Sequence, residues 1–297
     1  MKRTSIFLAA LAVLAIAVAF IGKLMGERKM DRMIAITLPE LAPASVERAS
    51  IERGQYLFAT RGCTDCHGSN GAGKTVINDG GMLVVAPNIT TGANSVVSRY
   101  STADWVRTIR HGVKPNGRPV MIMPSEDYAR LTDEDMASLV AALRQLPPVA
   151  GERTLIAIPL PVKVLYAFGA VKDAAEKIDH TLPPPAPVAA AVTTEHGAYI
   201  ANACIGCHGP GLSGGRIPGA PPAWPAAANL TPGKDSAMTR YPSPELFTAM
   251  LRSGHRPDGT QISPIMPFGS IGKMNDTDMQ ALHAYLKTVP PRDAGQR

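Results

Sequence analysis

Aromatic side chains are scarce in this 297-residue chain, at 2 Trp, 7 Tyr and 6 Phe, while Gly and Pro number 27 each. Such a composition is rich in loops and short of the bulk that usually fills a core. Cysteine is limited to 4 residues, all in two short runs, so none is left for a disulfide or a separate nucleophile. Positive charge is also thinner than the net +6 suggests. Lys2, Arg3, Lys23, Arg28, Lys29 and Arg32 outweigh Glu27 and Asp31 within the first 32 residues, and little excess remains beyond them. No basic patch for nucleic acid is expected. Nothing reads as a run of alternating strands, so the expected class is all-α.

The two cysteine runs are Cys63-Thr-Asp-Cys66-His67 and Cys204-Ile-Gly-Cys207-His208. A C-x-x-C-H run reads as a c-type haem attachment site. Two thiols one turn apart add to the two vinyl groups of one haem, and the adjacent imidazole is directed at the iron. A structural zinc site wants four nearby Cys or His ligands, and neither run has a second pair beside it. A thioredoxin-like dithiol needs no following His and follows a strand of a βαβ unit. Two covalently bound haem c groups are therefore expected, and they would supply the missing apolar bulk of two small domains.

Lys2-Arg3 precedes an unbroken apolar run from Ile6 to Ile21. That run is short for a membrane span of ~20 residues, but Leu24 and Met25 extend it if Lys23 snorkels toward the headgroups. The competing reading is a cleaved signal peptide with Ala17-Val-Ala19 at the cleavage site. Cleavage there leaves a still-apolar Phe20-Ile21 start, which favours an uncleaved anchor over residues 1–32. Basic residues flank both ends, so the positive-inside rule is nearly silent. Bacterial haem attachment takes place outside the cytoplasmic membrane, which orients the chain. Residues 33–49 read as a tether, with Pro39 and Pro43 opposing regular structure.

From Ile51 onward the chain is an internal duplication. Glu52-Arg-Gly54-Gln-Tyr56 recurs as Glu195-His-Gly197-Ala-Tyr199, Asn88-Ile-Thr90 as Asn229-Leu-Thr231, and Arg99-Tyr100 as Arg240-Tyr241. Arg110-His-Gly112 recurs as Arg252-Ser-Gly254, Met123-Pro124 as Met266-Pro267, and Pro147-Pro148 as Pro290-Pro291. The spacing predicts domains over 50–148 and 193–297, joined by a Pro-rich linker over 149–192. Helices are expected over about 50–62, from Ser101 with a capping box to Gly112, from Thr132 to the prolines at 147–148, after Ser243-Pro244, and after Asn275. In the linker, Leu165 to Ile178 reads as a short helix, and Pro183 to Pro187 as an extended spacer. Leu165, Tyr166 and Phe168 either pack across the domain interface or merely cover exposed core.

His67 and His208 are the proximal iron ligands by adjacency to the cysteines. Met/His ligation raises the reduction potential, which makes Met123 and Met266 the candidate sixth ligands. The duplication selects them, since Met121 falls on Pro264. His111 and His255 are the rivals, and Met82, Met136, Met274 and Met279 are expected in core or loops. Pro87 is placed to offer its carbonyl to the second nitrogen of His67, and Ala228 occupies the matching place in the second copy. Arg99, Tyr100, Arg240 and Tyr241, with Asn88 and Asn229, either hydrogen-bond haem propionates or form turns common to both copies.

Cys63-x-x-Cys66-His67-Gly68, Pro87-Asn88-Ile89-Thr90, Trp105, Gly112, Met123-Pro124 and the Thr132 helix ending in Leu146-Pro-Pro resemble a class I cytochrome c domain. More narrowly, the two copies resemble domains in the multihaem cytochrome subunits of bacterial membrane-bound dehydrogenases. Such subunits often carry three haems, and this chain has two. The resemblance implies a membrane-anchored dihaem electron carrier on the periplasmic face of the bacterial inner membrane. Its partners would be a donor such as a dehydrogenase and an acceptor such as an oxidase or another cytochrome. No catalytic side chain is implied. The rival is a dihaem enzyme such as a peroxidase, which needs one open haem iron.

Overall fold

The computed structural model describes residues 2–37 and 41–296; Pro39 of the expected tether lies outside them. Helix α1 (Lys2–Met30) is continuous. Its apolar stretch has a mean hydropathy of 2.7 and is almost wholly exposed. Helix α2 (Pro43–Glu47) follows and packs on the first domain. Pro43 thus opens a helix instead of opposing one, because a first-turn residue has no intrahelical use for the N–H that proline lacks.

The first domain is built from α3 (Ile51–Thr60), α4 (Cys63–His67), strands β1 (Thr75–Asp79) and β2 (Met82–Val85), and helices α5 (Thr102–His111), α6 (Ser125–Tyr128) and α7 (Asp133–Arg144). Ser50 caps α3, Ser101 and Asp104 form a reciprocal capping box on α5, and Thr132 caps α7. Helix α3 crosses α7 at Gly54, where a Cβ would lie 2.0 Å from the Ser138 carbonyl oxygen. The strands correct the all-α expectation. Gly80 and Gly81 both adopt positive φ, which suits a two-residue hairpin turn, and β2 buries Val84 and Val85. Strand β3 (Leu155–Ala157) comes from the linker and completes an antiparallel sheet in the order β1-β2-β3.

The linker continues as α8 (Leu160–Ala167) and α9 (Ala174–Lys177). The single helix expected from Leu165 to Ile178 is interrupted where Gly169 takes a φ of +78°. Helix α8 packs along α1, which is neither of the two placements open for its apolar residues, the domain interface or the cover of exposed core. Tyr166 is buried, receiving a 2.6 Å hydrogen bond from Arg32 and donating one of 2.5 Å to Asp173. Leu165 and Phe168 are exposed.

The second domain repeats the first as α10 (Thr194–Ala201), α11 (Ile205–His208), α12 (Pro244–Ser253), α13 (Phe268–Ile271) and α14 (Asp276–Leu286). Gly197 repeats the tight crossing, its missing Cβ leaving room for the Ala281 carbonyl. Each domain has its own core. Leu57, Trp105, Met136 and Leu139 centre the first, and Ile200, Phe247, Met279 and Leu282 the second. Met82, Met136, Met274 and Met279 are all buried, as expected.

The two copies meet about a pseudo-two-fold axis. Tyr56 of α3 donates a 2.7 Å hydrogen bond to Asp278 of α14, and Tyr199 of α10 donates one of 2.6 Å to Asp135 of α7. Each tyrosine hydroxyl also accepts the N-cap N–H of the opposite helix, from Asn275 and Thr132 respectively. Within each copy the same aspartates are held by Arg53 and by His196.

Candidate functional site

Helix α4 is a single turn that starts at Gly62, whose φ of +80° redirects the chain out of α3. One turn carries Cys63, Cys66 and His67, and none of the four cysteines is in a disulfide. Burial pushes the Cys63 and Cys204 thiols up to about 12, and raises Cys66 as well. Burial also lowers the His67 imidazole, against the opposing pull of a hydrogen bond to Pro87. The neutral ring is the form that can ligate a metal.

His67 Nδ1 lies 2.9 Å from the Pro87 carbonyl oxygen, and His208 Nδ1 lies 2.8 Å from that of Ala228. The Ala228 backbone thus serves as well as that of Pro87. In both copies one ring nitrogen is taken, so a metal can be bound only through Nε2. Gly73 and Gly214 make this approach possible. Each is at positive φ and donates its N–H to the carbonyl of the adjacent motif histidine. A Cβ at Gly73 would lie 2.2 Å from the Ala86 oxygen, and one at Gly214 2.4 Å from the Ala228 oxygen. Sequence reasoning missed both glycines, although they recur at the same offset as the cysteines.

Met123 and Cys63 abut the first core, and Met266 and Cys204 abut the second. The Met-Pro turn has one geometry in both copies, with Ser125 N–H bonded to the Met123 carbonyl and Phe268 N–H to that of Met266. The rival ligands are engaged elsewhere. His111 Nδ1 pairs with His180 Nδ1 at 3.0 Å, and exposed His255 turns its Nδ1 onto the Ser253 carbonyl. Asn88 and Asn229 belong to turns, not to a propionate site. Each amide donates to two carbonyls, and its oxygen accepts both the N–H and the hydroxyl of the threonine two residues on. Arg99 and Arg240 are exposed, while Tyr100 packs edge-on against Trp105 and Tyr241 against Phe247.

The paired thiols, the imidazole oriented through its Nδ1 and the Met-Pro turn form a donor set suited to a c-type haem, present once in each copy. The family profile for cytochrome c matches residues 51–147 and again 195–290. The chain belongs to the cytochrome c family. Its cofactors are two covalently attached haem c groups, one for each matched segment. The chain is 27% identical to the fructose dehydrogenase cytochrome subunit of Gluconobacter japonicus, over 86% of this chain and 56% of that one. It is 24% identical to the alcohol dehydrogenase (quinone) cytochrome c subunit of Gluconobacter oxydans, over 89% and 60%. A diheme cytochrome c-type protein of Cereibacter sphaeroides is 26% identical over 85% of this chain and 89% of its own length. The chain thus spans little more than half the length of the two dehydrogenase subunits and most of the dihaem protein.

Proposed function

We propose that this cytochrome c is a membrane-anchored dihaem electron carrier. It takes single electrons from a dehydrogenase or another respiratory donor at the periplasmic face of the bacterial inner membrane and passes them to an oxidase or another cytochrome. Each haem supplies a one-electron ferric/ferrous couple. The chain supplies the rest: Cys63, Cys66, Cys204 and Cys207 would hold the haems through their sulfurs, and His67, Met123, His208 and Met266 would be the iron ligands. Residues 1–32 form the anchor, and the carriers are the domains over 50–148 and 193–297.

The observation that carries this reading is how the two attachment helices are embedded. Thr64 of α4 is 2.9 Å from Ser270 of α13, and Gly206 N–H of α11 donates to Asp127 of α6 at 2.6 Å. Each attachment turn therefore rests on the turn that follows the Met-Pro of the other domain. Such reciprocal packing fixes the separation over which the domains exchange electrons.

The test is an absorption and EPR spectrum of the purified oxidised protein, before and after cyanide. Two low-spin haems with Met–iron charge-transfer absorption and no response to cyanide are expected. Met123→His and Met266→His should each lower one of two midpoint potentials and leave the other in place. A haem that binds cyanide would reveal an open iron and overturn the carrier reading. A substitution that moves neither midpoint would overturn that methionine's assignment.

A further inference from the structure

Helix α8 is an unusual use of a linker, because it is clamped to α1 and not to either haem domain's core. Gly22 and Gly26 are buried in a helix whose other described side chains are exposed or half-buried. A Cβ at Gly22 would lie 3.0 Å from the Val164 side chain, and one at Gly26 2.6 Å from the Lys163 carbonyl oxygen. Small residues four apart allow such close helix approach. Polar contacts lock it: Lys163 pairs with Glu27 at 2.8 Å, Lys29 donates to the Tyr166 carbonyl at 2.9 Å, and Arg32 pairs with Asp173 at 2.7 Å.

These contacts orient α8. Successive helical residues are about 100° apart, which puts Lys163 and Tyr166 on one face and Pro161, Leu165 and Phe168 on the opposite one. The face with Lys163 and Tyr166 reaches the polar end of α1, at residues 27–32. The face with Leu165 and Phe168 points away from it, and Val164 at its edge touches Gly22, where the apolar run Ile6–Ile21 stops. A span of ~20 residues beginning after Arg3 ends at this level. There Leu165 is 46% exposed and Phe168 60% exposed. Apolar side chains on one face of a helix at that depth match the boundary between lipid headgroups and acyl chains.

We propose that α8 is an interfacial membrane element: Leu165 and Phe168 insert into the bilayer surface beside α1 and set the height of the haem domains above it. The role rests on the anchor reading above: Leu165 and Phe168 extend the apolar surface of α1, and lipid covers them as it covers α1.

The test places one cysteine at a time in the full-length holoprotein, where the native cysteines are consumed by haem attachment. Leu165→Cys and Phe168→Cys are compared with Phe20→Cys in the span and Leu246→Cys, on the exposed surface of the second domain. Each variant is reconstituted into vesicles of phosphatidylethanolamine and phosphatidylglycerol and treated with a polyethylene-glycol maleimide, which needs a water-exposed thiol. Labelling at 246 measures the outward-facing fraction. Positions 165, 168 and 20 are expected to react more slowly than 246 by an order of magnitude or more, and to react fully in dodecyl sulfate. If 165 and 168 react as fast as 246 while 20 stays protected, the interfacial role is wrong and the anchor stands. If 20 reacts as well, the anchor reading fails and this proposal fails with it.

Discussion

The His111–His180 pair shows what a single proton can do in this fold. His180 Nε2 is 3.0 Å from the Ala175 carbonyl, so its Nδ1 is the acceptor for a proton on His111 Nδ1 when both rings are neutral. A further proton would set two N–H groups against each other. Burial, with His180, Arg110 and Arg107 adding repulsion, lowers the His111 imidazole to about 4 from an ordinary 6.5. The unfolded chain therefore binds more protons than the folded one between pH 6.5 and 4. Stability conferred by the neutral ring is complete above that window and is lost as pH falls through it. His111→Gln retains a hydrogen-bonding side chain and removes the titration. The variant should lose less thermal stability than the parent between pH 6.5 and 4, measured as Tm by calorimetry at stepped pH. Parallel Tm curves would show that the pair does not govern the acid limb.

Among the elements, the turn around Asn88 has the most to lose from a small change. Its amide ties the loop to the Ala93 and Val149 carbonyls, and so fastens the end of the first domain to the loop whose Pro87 carbonyl meets His67. Asn88→Ala strands the buried Thr90 N–H, while the Ala93 and Val149 carbonyls keep the Gly151 N–H and the Thr90 hydroxyl as donors, so the loss is about 1–3 kcal/mol for the one buried group left unmade. A lower guanidinium midpoint with unchanged slope is expected. Arg99→Ala, on an exposed neighbour, should leave the midpoint in place. The sequence announces such elements unevenly. Helix starts at Ser50, Ser101, Thr132, Ser243 and Asn275 are legible because capping is decided within four residues. The iron-facing histidines are legible because the motif is contiguous. The hairpin at Gly80-Gly81 escapes notice because its two strands are short and their third partner lies some seventy residues on, in the linker. Helix α8 is easily misassigned to the domain interface because apolar residues declare that they will be covered without declaring by what. Asn88 resembles a propionate donor for the same reason: its partners are backbone carbonyls, which no side-chain pattern reveals.

At the scale of the whole molecule, the duplication also builds the interface. Asp135 and Asp278 stand three residues after their N-caps, where a carboxylate ordinarily folds back on the N-cap N–H. Here a tyrosine hydroxyl from the other domain accepts that N–H and donates its own hydrogen bond to the aspartate. Burial would raise the Asp135 carboxyl, but Arg53 and Tyr199 hold it below the usual range. Burial and Asp278 push the Tyr56 phenol up to about 12, so it stays a donor at any physiological pH. The helix caps and the domain contact are thus one set of bonds, and the domains should melt together. Tyr56→Phe with Tyr199→Phe removes both bridges while keeping the ring volume. Arg53 and His196 still hold the aspartates, so each loss is that of one hydrogen bond to a charged group, about 1.5–3 kcal/mol. The parent should unfold in one calorimetric transition, and the double variant in two, with both attachment sites still carrying haem. Single-variant effects should fall short of adding to that of the pair, since either bridge alone still holds the second domain in place. One unchanged transition in the double variant would mean that apolar packing, not the tyrosine–aspartate exchange, joins the two domains.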